Sequence, residues 1–363
     1  MRRVPCLLVA LVSLTIMPAL YAASKPLQIY FIDVEGGQAT LMVNPRGESL
    51  LVDTGFPGFN GRDADRIVTA AKAAGLKQID YVLITHYHND HVGGLAQLAD
   101  RIKVGTLVDH GPNMEDTDSM RKQYAAYEKI AAEHKHLVLK PGDQLPFKGM
   151  KVQVLTAAGE HIQSPLPGAN QPNPVCSSEP EAAADTTENA RSLGTLITYG
   201  KFRFLDLGDL TKQKERALVC PNNLIGAVDL YLTTHHGLDL SNAKVIVDAI
   251  HPRVAIMNNG PHKGGKPEAW QTVHDAPGLQ DLWQLHYALD SDKEHNVAEP
   301  FIANLEEKCQ GNYINVAAFP DGTFTVLNSR NGYQKTYTKQ PERPAKTASW
   351  EHHGRATNTP ENT

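Results

Sequence analysis

The chain of 363 residues has few cysteines, four in all, and few aromatic residues, at 7%. Four cysteines cannot staple a protein of this length, and their spacing matches no zinc finger. There is no basic excess: 35 Lys and Arg stand against 40 Asp and Glu, a net charge of −5. A binder held to nucleic acid by sequence-independent charge is therefore a poor fit, and no stable nucleic-acid complex is expected. No apolar run long enough to span a bilayer occurs after residue 23. The Gly-x4-Gly-Lys-Ser/Thr phosphate loop is absent, as is the Gly-x-Ser-x-Gly turn that presents a serine nucleophile. What remains is 41% hydrophobic and 21% charged, an ordinary globular composition that excludes collagen-like, coiled-coil and wholly disordered chains.

Residues 1–23 read as a cleaved secretory signal. Arg2 and Arg3 lead into the apolar stretch 7–16, Pro18 breaks it, and small residues end it at Ala22-Ala23. A periplasmic or secreted protein with no membrane span after cleavage is the expectation. Removing this segment leaves 33 basic and 40 acidic residues, a charge of −7. It also removes Cys6, so Cys176, Cys220 and Cys309 allow at most one internal disulfide, with the pair left open. The sequence then divides into a domain over 24–330 and a polar tail at 331–363 that reads as disordered. Within the domain, 158–190 is rich in Pro, Ser, Ala and Glu and reads as a surface insertion.

Alternation and turn residues predict strands at 27–34, 39–43, 50–53, 81–84, 104–108, 136–139 and 150–156 in the first half. Further strands are expected at 193–199, 202–207, 230–233, 253–257, 313–319 and 323–327. Amphipathic helices are expected at 63–75, from 95, and at 117–134, 211–218, 241–250 and 267–274. Two runs of strands, each mixed with helices, suit an α/β fold: two sheets face to face with helices outside, a four-layer αββα sandwich.

Histidine is the one abundant residue of chemical interest, at 16 copies. His134, His136, His161, His251, His274, His286 and His295 stand alone and read as surface or core. Others are gathered. Directly after the strand at 81–84 comes His86-x-His88-x-Asp90-His91, four ligand-type side chains within six residues. His86 and His88 can grip one ion and Asp90 with His91 a second. Imidazole plus carboxylate suits zinc, with manganese or iron as alternatives.

His-x-His-x-Asp-His after a strand resembles the signature of the metallo-β-lactamase fold superfamily, over roughly residues 27–327. Asp33-Val34-Glu35-Gly36-Gly37-Gln38-Ala39 and His235-His236-Gly237 are most similar to the extracellular domain of ComEC-type competence proteins, and also to choline-phosphate esterases. The resemblance implies two zinc ions held by His86, His88, Asp90, His91, Asp209 and His236. Asp209, after Gly208, takes the bridging place, with Asp206 the competing carboxylate. His236 is preferred over His235 as the last ligand, which leaves His235 to touch the reacting water or a substrate oxygen. Asp53 resembles a carboxylate that orients a ligating histidine. The family's third first-site histidine is missing, and Asn189 or Glu188 stands in its place. His110, His262 and Lys263 are candidates to line the cleft, the last two on a glycine-rich loop. The resemblance implies hydrolysis by metal-bound hydroxide, with Asp90 or Asp209 orienting it. A small-molecule phosphoester or phosphodiester is the first choice of substrate. A lactone or β-lactam is the alternative, and a non-catalytic metal-stabilised binding protein the second. Oligomeric state is left open.

Overall fold

The computed structural model describes residues 25–338. The signal-peptide expectation for 1–23 and most of the expected tail lie outside those residues. Two nine-stranded sheets form the molecule. In the first, the order is Gln334–Tyr337, Phe324–Asn328, Ile314–Ala318, Leu27–Phe31, Thr40–Val43, Ser49–Val52, Gln78–Leu83, Lys103–Asp109 and Lys135–Val138. The second runs Ile302–Asn304, Asp281–His286, Val254–Met257, Leu230–Leu232, Phe202–Asp206, Gly194–Tyr199, Lys151–Ala157 and Gln144–Leu145, with Glu160–His161 paired beside it.

Alternation explains the layering. Leu27, Ile29 and Phe31 point one way and meet Phe202, Phe204, Leu230 and Ile256 of the facing sheet in a shared apolar layer. Tyr30, Ile32, Leu41 and Leu51 point the other way, onto Ile67, Ala71 and Leu98 of the helices covering the first sheet. Leu196, Leu205 and Tyr231 pack outward onto Ile246, Trp270 and Val273 of the helices covering the second. The result is the αββα sandwich.

Parallel pairing decides where function can sit. Ser49–Val52, Gln78–Leu83, Lys103–Asp109 and Lys135–Val138 are mutually parallel. So are Phe202–Asp206, Leu230–Leu232, Val254–Met257 and Asp281–His286. Their carboxyl ends form one edge of the sandwich, where open α/β sheets place ligands.

The structure departs from the sequence reading in several places. Asp281–His286 and Ile302–Asn304 are parallel strands that extend the second sheet. Gln334–Tyr337 pairs antiparallel with Phe324–Asn328, so the tail expected to be disordered from 331 begins as an edge strand. Its anchor is Tyr337, buried, which accepts a hydrogen bond from the Trp283 indole at 3.0 Å and donates to Asp281 at 2.7 Å. The segment 158–190 is tied to the domain by the Cys176–Cys220 disulfide and by pairing of Gln171–Pro172 with Asn222–Asn223. Among the described residues no helix is long and apolar enough to cross a membrane.

Tyr337→Ala should cost on the order of 3 kcal/mol, the loss of a buried aromatic plus an orphaned indole N–H. Urea denaturation checks this. An unchanged midpoint would show that the edge strand contributes nothing.

Candidate metal centre

The strand Gln78–Leu83 ends inside the sandwich edge, and the chain turns at once into the histidine motif. A four-residue helical turn, Asn89–Val92, carries Asp90 and His91. The turn is pressed against its neighbours: Gln38 N–H donates to the Asp90 carbonyl at 3.0 Å, and Thr54 N–H to that of His91 at 2.7 Å. Gly37 permits this approach, since a Cβ there would lie 2.5 Å from the Asp90 carbonyl oxygen. Asp209 arrives from the second sheet just beyond Phe202–Asp206, where its N–H donates to Ser192 Oγ at 3.2 Å. His235 and His236 follow Leu230–Leu232, both in left-handed backbone (φ 56° and 57°). Such torsions are strained for non-glycine residues and turn both rings toward the same edge.

These segments bring Asp90, His91, Asp209 and His236 together, with one ligand atom from each lying within 4.8 Å of the others. His91 Nε2 is 3.2 Å from Asp209 Oδ2, 3.3 Å from Asp90 Oδ2 and 3.2 Å from His236 Nε2. His236 Nε2 is 3.2 Å from Asp90 Oδ2 and 3.3 Å from Asp209 Oδ1. His86 Nε2 faces His88 Nδ1 at 3.0 Å and reaches within 3.9 Å of Asp209. His235 Nε2 stands 3.3 Å from Asp209 Oδ2. Asp209 thus touches every imidazole of the cluster except His88 among those the sequence nominated.

The donor set fits a divalent cation. His86 Nε2 with His88 Nδ1, and His91 Nε2 with His236 Nε2, approach at 3.0 and 3.2 Å and converge as ligands do. Asp209 Oδ1 is buried and accepts no hydrogen bond. Burial opposes ionisation of Asp90 and Asp209. The His91 and His236 rings outweigh it and hold both carboxylates well below their usual range, with His235 also acting on Asp209 and Lys263 on Asp90. The same two carboxylates, with Asp53, push His91 well above its usual value against its own burial. Burial, together with the His91 charge, holds His86 well below its own. The cluster is built around a positive charge.

Second contacts fix the rings. Asp53 Oδ2 lies 2.7 Å from His91 Nδ1, leaving Nε2 for the cluster. Asp53 in turn accepts from the Thr85 N–H at 2.8 Å and the Thr85 hydroxyl at 2.7 Å. His88 has the opposite arrangement: Nδ1 faces His86, and Nε2 lies 3.3 Å from Glu115. Glu115, Thr85 and Ser241, which lies 3.3 Å from His235 Nδ1, were not nominated by the sequence; polar residues in loops carry no signal without the fold.

The remaining nominated residues have varied places. Asp206 accepts two contacts from the Gln38 amide, at 2.9 and 3.1 Å, and one from Gly208 N–H. Burial pushes it up to about 6, and it supports the turn that presents Asp209. His110 does not line the cleft: it is buried and its Nε2 is 2.8 Å from Glu188. Glu188 Oε1 is engaged with His110, and its Oε2 is buried without a hydrogen-bond partner. Asn189 Oδ1 is buried without a partner. His262 is exposed and lies 2.8 Å from Asp290, whose hydrogen bond raises its pKa. Lys263 crosses from the glycine-rich loop to Asp90, one of the cluster's carboxylates. Burial pushes His235 down to about 4, against the pull of Asp209.

The sandwich gathers histidines and aspartates at its strand ends, an arrangement suited to holding a divalent metal. Residues 32–167 match the family model of the Metallo-beta-lactamase superfamily. Recombination protein 2 of Haemophilus influenzae is 25% identical over 65% of this chain and 25% of its own length. ComE operon protein 3 of Bacillus subtilis is 28% identical over 52% of this chain and 21% of its own. The chain thus spans about a quarter of the length of these curated relatives. Among solved structures, the metallo-beta-lactamase fold protein YhfI of Bacillus subtilis aligns with a TM-score of 0.43 at 14% identity, covering 72% of this chain and 96% of that one.

Asp53→Asn should weaken divalent-metal affinity about 10- to 100-fold by loosening His91. Competition against a chromophoric chelator measures it. Unchanged affinity would place His91 outside the metal's ligands.

Proposed function

We propose that this protein is a secreted hydrolase of small phosphoesters or phosphodiesters, working with two divalent ions, zinc being the favoured metal. The observation that carries the reading is the buried Asp90, His91, Asp209 and His236 cluster with a cationic side chain, Lys263, reaching into it. His86 and His88 would hold the first ion, with Asn189 or Glu188 to complete it. Asp90, His91 and His236 would hold the second, with Asp209 a further ligand. Bound there, divalent metal supplies Lewis acidity and acidifies a water. The residues do the rest. Asp209 and Asp90 accept and orient the proton that the attacking water releases. His235 stands at the rim of the cluster to touch a substrate oxygen. Lys263 offers its ammonium to a non-bridging phosphoryl oxygen, whose charge grows as the phosphorus–oxygen bond to the leaving alcohol breaks.

The support for an anionic substrate is Lys263, which contacts Asp90 of the cluster and also lines a neighbouring cavity of about 660 Å³. Export is supported by the Arg2-Arg3 and apolar run at the start of the sequence, together with the Cys176–Cys220 disulfide.

Turnover of bis(p-nitrophenyl) phosphate, p-nitrophenyl phosphorylcholine, nitrocefin and a lactone should be compared with zinc and with manganese. The phosphoesters should be hydrolysed. Lys263→Met should lower kcat/KM on them about 10- to 100-fold, mainly through KM, as expected for one charge-assisted hydrogen bond. Preference for nitrocefin or the lactone, with no effect of Lys263→Met, would favour ring opening instead.

A further inference from the structure

A second group of ligating side chains lies on the same edge of the sandwich, away from the histidine motif. Asp33 follows the strand Leu27–Phe31, His286 ends the strand Asp281–His286, and Cys309 lies in the loop before Ile314–Ala318. One ligand atom from each lies within 4.8 Å of the other two. His286 Nε2 is 2.9 Å from Asp33 Oδ1, and Cys309 Sγ is 3.2 Å from Asp33 Oδ2 and 3.8 Å from His286 Nε2. Glu35 Oε1 lies 3.9 Å from the sulfur. Asp33 and His286 are fully buried and Cys309 half-buried. Cys176 and Cys220 are joined, so Cys309 is the free thiol among the described residues.

The geometry separates two chemistries. A nucleophilic Cys-His-Asp triad needs the thiol on one ring nitrogen and the carboxylate on the other. Here both approach Nε2, while Nδ1 of His286 is buried with no partner. Burial and the Asp33 carboxylate push the thiol up to about 11, the reverse of an activated nucleophile. Sulfur, nitrogen and carboxylate converging on one point is instead the pattern of metal ligands.

We propose that Asp33, His286 and Cys309 form a further binding site for a zinc-class divalent ion, separate from the catalytic cluster, with Glu35 the nearest source of a fourth ligand. Binding releases the Cys309 proton to solvent and forms a metal–sulfur bond. Charge closes: the ion, Arg66 and Arg62 together balance Asp33, Glu35, Asp63 and the Cys309 thiolate. Arg66 is placed for this, since Nη2 lies 3.4 Å from the sulfur, within reach of donating to a metal-bound thiolate, and Nη1 lies 3.0 Å from Asp33. The cavity shared by Glu35, Arg66, Lys263 and Cys309 gives the ion a way in. The site would clamp together three segments distant in sequence. It also abuts the catalytic loop, because Gly36 packs on Lys263 so closely that a Cβ at 36 would lie 2.8 Å from the Lys263 Cβ.

Cobalt(II) titration of the chain with its Cys176–Cys220 disulfide intact tests this, since thiolate-to-cobalt charge transfer in the near ultraviolet reports sulfur ligation and the catalytic cluster contains no cysteine. The band should appear in the wild type, persist in Asp209→Ala, and vanish in Cys309→Ser with the loss of one metal equivalent. His286→Gln should weaken cobalt binding at this band at least 10-fold, the loss expected for a ligand-shell group. No band in the wild type, or a band that survives Cys309→Ser, would overturn the proposal.

Discussion

Two carboxylates, Asp90 and Asp209, are buried within reach of the same imidazoles, and that concentration of negative charge governs the site. Neither can be left uncompensated in a medium of low dielectric. The protein supplies His91, His236 and Lys263 around them. Asp53 commits His91 Nδ1, so the Nε2 lone pair has one direction in which to act. Asp206 and Gln38 hold the turn that delivers Asp209 across from the other sheet.

The sandwich makes this affordable. Its three apolar layers carry the stability, so the strand ends are free to hold strained and polar groups. Asp53, His235 and His236 all have positive φ, and each points a functional side chain. Close contacts also fix the loops on one another: a Cβ at Gly264 would lie 2.1 Å from the His236 carbonyl oxygen. The Asp33, His286 and Cys309 group belongs to the same edge for the same topological reason. Leu27–Phe31 is antiparallel to Thr40–Val43, which is antiparallel to Ser49–Val52, so its carboxyl end emerges beside theirs.

What could be read from the sequence was what is local. The motif from His86 to His91 is contiguous, and the strand before it is a plain apolar run. The choice of Asp209 over Asp206 rested on a neighbouring glycine and becomes a matter of geometry only in the fold. Contacts between distant segments left no trace. His286 stands alone in sequence, yet it meets Asp33 across 253 residues. His110 looked like a cleft residue because it ends a strand, but Glu188, 78 residues away, claims it. Strand Asp281–His286 was missed because polar Gln284 and His286 break its apolar pattern, though both are fully buried. Gln334–Tyr337 was missed because an edge strand needs only one buried anchor, Tyr337.

The central claim is that the Asp90, His91, Asp209 and His236 cluster works through a bound divalent cation. The most direct measurement is phosphodiester hydrolysis by the chain stripped with a chelator and then titrated with zinc or manganese. The account predicts that turnover disappears on stripping and returns as metal is restored, and that Asp209→Ala is not rescued. Full turnover by the metal-free chain would contradict it.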